Sequence, residues 1–227
     1  MNSEKIFIPE PFHSLMDGIE RGTLTNFYGA PGVGKSNICI LAALECIRKG
    51  GKVVYIDTEG GLSAERVKQV SFDDDDVFRN ITLIEPKTFE EQGVVIKNLE
   101  NQEFDMLIVD SAVALYRLQC ADNEKEILCS NKELSVQLSI LSNISRKRNI
   151  PVIITAHTFR NWDTKEDKII GGDSVKYWSK SIIFLERTGK MGERKATILK
   201  HRSKPEGKFV KFEIVEEGIK PSGFRIF

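Results

Sequence analysis

Residues 29–36 read Gly29-Ala30-Pro31-Gly32-Val33-Gly34-Lys35-Ser36, a complete G-x-x-x-x-G-K-[ST] stretch. No other feature of the chain restricts its fold as sharply. Glycines 29, 32 and 34 let backbone N–H groups turn inward around an anion with no bulky side chain in the way. Lys35 brings an ammonium to the outer phosphates of a triphosphate, and the Ser36 hydroxyl offers magnesium an oxygen ligand. Leu24–Tyr28, ahead of the loop, is short and apolar, as a buried strand is. Asn37–Lys49, after it, reads as a helix whose N-terminus faces the anion. Strand, loop and helix in this order predict a site for ATP and Mg2+.

Further apolar runs at 52–57, 81–84, 105–110, 150–155 and 181–186 alternate with helical segments. The runs are continuous rather than alternating, so both faces of the strands are covered. That pattern predicts an α/β fold with a mostly parallel twisted sheet flanked by helices. Phe89–Leu99 and Asn131–Arg148 read as crossover helices; the second carries apolar residues at 134, 138, 141 and 144 on one face. Arg146-Lys147-Arg148 closes that helix, where cations suit the dipole. Lys195–Lys200 and Lys208–Val215 bracket Pro205-Glu206-Gly207 and predict a C-terminal antiparallel hairpin. The expected organisation is a short N-terminal segment, 1–22, and one core domain, 23–227.

The 227 residues hold 33 lysines and arginines against 33 aspartates and glutamates, so no global field draws the chain to nucleic acid or membrane. Any charged partner must meet a local patch. No apolar run has the length of a membrane span, and no signal-peptide core follows Met1; a soluble cytoplasmic protein is expected. Cysteines 39, 46, 120 and 129 form no C-x-x-C pair and read as buried free thiols. The three histidines are too scattered to suggest a metal site, and the acidic run Asp73–Asp76 reads as a solvated loop.

Met106–Asp110 is an apolar strand ending in a carboxylate, the place where phosphate-loop NTPases hold magnesium through its water shell. Val53-Val54-Tyr55-Ile56-Asp57-Thr58-Glu59 reads as a second strand ending in two acids. A carboxylate at such a strand end can face the γ-phosphate, orient a water and accept its proton. Capping of the turn into the next helix is the competing role, and the two roles can be divided: Asp57 structural, Glu59 catalytic.

Ile-Asp-Thr-Glu at 56–59, Ala-Glu-Arg at 64–66, Val-Asp-Ser-Ala-Val-Ala-Leu-Tyr-Arg at 109–117 and Pro-Val-Ile-Ile-Thr at 151–155 occur together in one order and spacing. With them the chain resembles the RecA/RadA recombinase superfamily from about Pro9 to Ile219, and most of all its short archaeal RadA paralogues. The resemblance implies a RecA-like ATPase core. Within it Glu59 is the catalytic glutamate, Arg66 stacks on the adenine and Asp110 is the magnesium aspartate. It places DNA-facing loops at Ser111–Asn131 and Thr158–Asp173. Lys200-His201-Arg202 resembles a basic strand that reaches a neighbouring subunit's nucleotide, Lys200 and Arg202 acting in trans; a solvated basic turn is the alternative.

Two departures qualify these implications. Recombinases carry asparagine-glutamine after the strand equivalent to 151–155, whereas this chain has Ala156-His157. His157 therefore takes the γ-phosphate-sensing place with an imidazole instead of an amide. The phosphate loop also begins at residue 29, leaving no room for the N-terminal DNA-binding domain of RadA, and no Phe-x-x-Ala hook is present. Long stable filaments are not expected, although a homo-oligomer remains open.

Single-strand binding needs cations along the backbone path and aromatic faces for bases. Arg117, Phe159, Arg160, Trp162, Lys165 and Lys168 supply both, with nearby acids tempering the charge. Tyr177 and Trp178 either join them or pack the following helix. The resulting expectation is an ATP-binding, weakly hydrolysing protein of homologous recombination and DNA repair. It would bind single-stranded or branched DNA and assist or regulate a RadA recombinase. A KaiC-like signalling ATPase acting on protein, or a nucleotide-gated module without productive hydrolysis, are the alternatives.

Overall fold

A computed structural model describes residues 5–71, 76–119, 124–160 and 167–223. In chain order its elements are α1 (Phe12–Met16), β1 (Leu24–Gly29), α2 (Lys35–Arg48), β2 (Val53–Asp57), α3 (Ala64–Ser71), α4 (Asp76–Asn80), β3 (Ile81–Ile84), α5 (Phe89–Asn98), β4 (Met106–Asp110) and α6 (Ala114–Gln119). There follow α7 (Glu124–Arg148), β5 (Val152–Ala156), β6 (Thr158–Arg160), β7 (Asp167–Ile169), α8 (Gly172–Trp178), β8 (Ser181–Arg187), β9 (Glu193–Lys200), β10 (Phe209–Val215) and β11 (Gly218–Pro221).

Nine strands form one sheet in the order β11-β10-β9-β8-β1-β5-β4-β2-β3. From β8 to β3 every pairing is parallel; β8 to β11 are joined antiparallel. Strands β1, β2, β4 and β5 are buried at every position, as continuous apolar runs require when helices cover both faces. One face packs on α2 and on an N-terminal cluster of Ile6, Ile8, Phe12, Leu15 and Met16, and the other on α5 and α7 through Ile96, Leu134, Leu138 and Leu141. The α5 N-terminus is capped by Thr88, whose side chain accepts from the Glu91 amide at 3.1 Å. Among the described residues no helix is long and apolar enough to cross a membrane.

The mostly parallel sheet and the terminal hairpin match the expectation, and four details differ from it. A third antiparallel strand, β11, follows the hairpin; its Gly218 and Pro221 hide it from a strand-composition reading. The first DNA-facing stretch, 111–131, contains α6 and the start of α7. Part of the second, 158–173, is a separate two-stranded ribbon of β6 and β7. Cys39 and Cys46 are buried thiols as expected, but Cys129 is exposed on α7 and Cys120 lies outside the described residues.

Candidate nucleotide site and nucleic-acid face

β1 ends at Gly29 in the middle of the sheet, between β5 and β8, so the phosphate loop lies at the carboxyl ends of the parallel strands where open α/β sheets bind ligands. Glycine is required there by contact. A Cβ at Gly29 would sit 2.1 Å from the Leu185 carbonyl oxygen, and one at Gly34 (φ 104°) would meet Ile214 Cδ1 at 3.0 Å. Gly34 opens α2 without a side-chain cap, which leaves the first-turn amides facing a cavity of about 230 Å3. Pro31, Gly32, Lys35, Ser36, Glu59 and His157 line it.

The Lys35 ammonium is buried and donates to the Gly29 and Ala30 carbonyls at 2.9 and 3.1 Å. Burial lowers its pKa, while Glu59 and then Asp110 oppose the shift by favouring the charged form. Asp57 is buried, with Oδ1 accepting from the Glu59 and Gly60 amides (3.0 and 2.9 Å) and Oδ2 from the Leu62 amide (2.8 Å). It thus builds the turn that carries Glu59, leaving the Glu59 carboxylate exposed at the mouth of the cavity. The Glu59 Oε1 meets His157 Nε2 in a short hydrogen bond. That bond is the main reason the Glu59 carboxyl is held below its ordinary pKa, against burial and with help from the His157 and Lys35 charges. Lys35 Nζ lies 3.5 Å from His157 Nδ1, so the imidazole stands between the ammonium and the Glu59 carboxylate.

Asp110, at the end of β4, accepts from Tyr55 Oη at 2.8 Å and from Thr155 Oγ1 at 2.5 Å. Burial first, then the Asp110 charge, drives the Tyr55 phenol well above its usual pKa, so it remains a donor. Ser36 and Asp110 offer the hard oxygen donors that Mg2+ takes, and no cluster of three or more His, Cys, Asp or Glu is placed to hold a metal among the described residues. The set fits an ion that keeps several waters and completes its shell with substrate phosphates.

Arg66 has an engagement that sequence did not foretell. Its guanidinium donates to Asn37 Oδ1 (2.7 and 3.0 Å) and to the carbonyls of Val215 and Glu216 (both 2.9 Å). It clasps the β10–β11 turn to α2.

A cleft of about 970 Å3 lies beside α6, the β6–β7 ribbon and α8, away from the phosphate loop. It brings together Arg117, Phe159 and Lys168, with Tyr116 and Lys176. Phe159 and Lys168 are register partners on the ribbon, and Phe159 is 45% exposed. Arg160 lies on β6, but its side chain, like Trp162 and Lys165 altogether, lies outside the described residues. Trp178 packs inward and donates to Ser135 Oγ at 3.2 Å, whereas Tyr177 is exposed. Lys200 donates to the Lys176 carbonyl at 2.9 Å and Arg202 is exposed. Lys200 pairs with Ile182, near the start of β8, five residues or about 16 Å from the end of that strand nearest the phosphate loop. Neither residue is brought to this chain's own nucleotide site. The structure instead puts Arg187 and Arg194 at the loop, which sequence reading missed; only the β8–β9 register reveals them.

The Rad51 family model matches residues 11–222. The DNA repair and recombination protein RadB of Methanosphaera stadtmanae is 41% identical, covering 96% of this chain and 97% of its own, and that of Methanococcus maripaludis is 43% identical over 90% and 94%. A crystal structure of the RadB recombinase superposes with a TM-score of 0.79 at 32% identity, covering 94% of this chain and 97% of its own. With the phosphate loop, the strand-end acids and the sheet order, these matches establish that the chain belongs to the Rad51 family, among its RadB proteins.

Proposed function

We propose that this protein binds MgATP, hydrolyses it slowly and binds single-stranded or branched DNA in homologous recombination and repair, assisting or regulating a RadA recombinase. One observation carries the nucleotide half of the reading: phosphate loop, Lys35, Glu59 and Asp110 converge at the carboxyl ends of adjacent parallel strands. The α2 amides and Lys35 hold the phosphates, and Arg66 stacks on the adenine. Glu59 accepts a proton as a water oxygen bonds to the γ-phosphorus; the bond to the β–γ bridging oxygen breaks and ADP leaves with its electrons. Ser36 and Asp110 would hold Mg2+, which supplies positive charge against the phosphate oxygens.

The cleft of Arg117, Phe159 and Lys168 supports the DNA half, since it sets cations beside an exposed aromatic face. The names of the RadB relatives support repair and recombination as the setting. A homo-oligomer would give Lys200 and Arg202 a neighbouring nucleotide to reach. A nucleotide-gated module without productive hydrolysis is the second reading, favoured by the carboxylate of Glu59 already being engaged by His157.

Measurement of MgATP affinity, turnover and single-strand binding on one preparation tests the proposal. Glu59→Gln should abolish turnover while leaving ATP and DNA binding in place. Absence of magnesium-dependent ATP binding overturns the whole reading; ATP binding without turnover in the wild type selects the second.

A further inference from the structure

Arg187 ends β8 and Arg194 lies near the start of β9, and the two are register partners, so their guanidinia share one level of the sheet. That level is the crest of the phosphate loop. Arg187 Nη2 donates to the Pro31 carbonyl at 3.4 Å and lies 2.8 Å from where a Cβ on Gly32 would be. Arg194 donates from Nε and Nη2 to the Gly32 carbonyl, each at 3.4 Å. These bonds are long, and most of the five donors on each guanidinium are left unspent. Among the described residues, only Arg194 Nη1 has a close partner, the Gly192 carbonyl at 2.7 Å.

Neither guanidinium meets a carboxylate at ion-pair distance among the described residues. The acids adjacent in sequence are committed elsewhere: Glu186 to Lys195, and Glu193 to Lys211 and Lys190. Two like charges therefore stand together uncompensated, an arrangement that an anion relieves. Burial, and then the Arg187 charge, lowers the Arg194 pKa, the expected mark of that crowding. Pro31 and Gly32 also line the cavity of Lys35 and Glu59, so the anion nearest to hand is the phosphate tail of a bound nucleotide.

We propose that Arg187 and Arg194 are arginine fingers supplied in cis, which swing from the loop carbonyls onto the transferring phosphoryl group. As the γ-phosphorus gains its bond to water and loses its bond to the bridging oxygen, negative charge builds on the leaving oxygen, and the two guanidinia offset it. A chain that carries its own fingers hydrolyses ATP without a neighbour. This inference rests on the ATPase reading above and adds to it which cations complete the site.

The test compares full-length wild type with the Arg187→Ala/Arg194→Ala double variant. Three quantities are measured: MgADP affinity, MgATP turnover, and capture of ADP with aluminium fluoride, a mimic of the phosphoryl group in flight. The expected result is MgADP affinity within about 3-fold, turnover lowered on the order of 10²- to 10³-fold, and loss of fluoroaluminate capture. Wild-type turnover per chain should also stay constant on hundredfold dilution. A double variant that turns over at the wild-type rate sinks this inference alone. So does an equal loss of MgADP and fluoroaluminate binding, which would make the pair a mere brace for the loop. Specific activity that falls with dilution overturns it in favour of a trans cation, and a wild type with no turnover takes the ATPase reading down as well.

Discussion

His157 bridges Glu59 and Lys35: its Nε2 bonds the Glu59 carboxylate, and its Nδ1 lies 3.5 Å from the Lys35 ammonium. The strand-end carboxylate and the phosphate-loop cation are thereby joined through one imidazole. Two consequences concern turnover and its coupling to DNA.

Removing the imidazole should move the acid side of the pH profile. The His157 hydrogen bond is the largest influence holding the Glu59 carboxyl below its ordinary value. In His157→Ala that carboxyl returns upward, so the acidic limb of kcat/KM for MgATP moves to higher pH. His157→Gln, which keeps one donor, should shift the limb less and raise DNA stimulation of turnover. A limb unmoved in His157→Ala contradicts the bridge.

Lys35→Ala removes a buried ammonium that faces the phosphates and should weaken MgATP binding by at least tenfold, about 1.4 kcal/mol. Titration with a fluorescent ATP analogue reads this directly. Unchanged affinity would mean that nucleotide binds elsewhere.

Phe159→Ala should weaken binding of a single-stranded oligonucleotide by about 1–3 kcal/mol, the range for one stacked base. Lys168→Ala or Arg117→Ala should instead lower the slope of log affinity against log salt by about 0.7 for each phosphate left unneutralised. Equal slopes in wild type and both cation variants would remove the 970 Å3 cleft from the DNA path.

Glu193 ties β9 to the end of β11. It accepts from Ser222 Oγ at 2.6 Å and Thr188 Oγ1 at 2.9 Å, with Lys211 Nζ at 3.1 Å. The Ser222 bond first, then Lys211 and Thr188, pulls its carboxyl down to about 2. Because the folded value lies below the unfolded one, the stabilisation is fully present above the unfolded value of 4.5. It is lost as pH falls from there toward about 2. Urea melts of Glu193→Gln across that window should show a flatter dependence on pH than wild type.

Arg66→Ala breaks the clasp on the β10–β11 turn and should destabilise the fold by about 1.5–3 kcal/mol, the range for hydrogen bonds made by a charged group. Amide exchange should rise first in β11. If adenine stacking were the only role of Arg66, exchange without nucleotide would be unchanged.

How far the sequence could be read follows from the range of each interaction. Gly29–Ser36 was legible because a phosphate grip is built from neighbouring amides, and Asp110 because a strand end announces itself. The bridge through His157 was not: the residue stood out as a departure from the family, but its contact with Glu59 depends on β2 and β5 being placed by other strands. Arg187 and Arg194 looked like ordinary basic residues around a turn, and their pairing exists only in the β8–β9 register. Arg66 was singled out by the family resemblance, yet its partners come from 149 and 150 residues further on. Strand β11 escaped because glycine and proline mark its ends.

The walls of the phosphate loop come from the far end of the polypeptide: Ile214 rests on Gly34, and Asn37 donates to the Gly218 carbonyl at 3.0 Å. A ribosome making this protein therefore releases the loop long before the residues that enclose it. Pairings so distant in sequence form slowly. The newborn chain must hold its ATP cradle open on one side until about 180 further residues have emerged, and the cradle is finished only when β10 and β11 have docked.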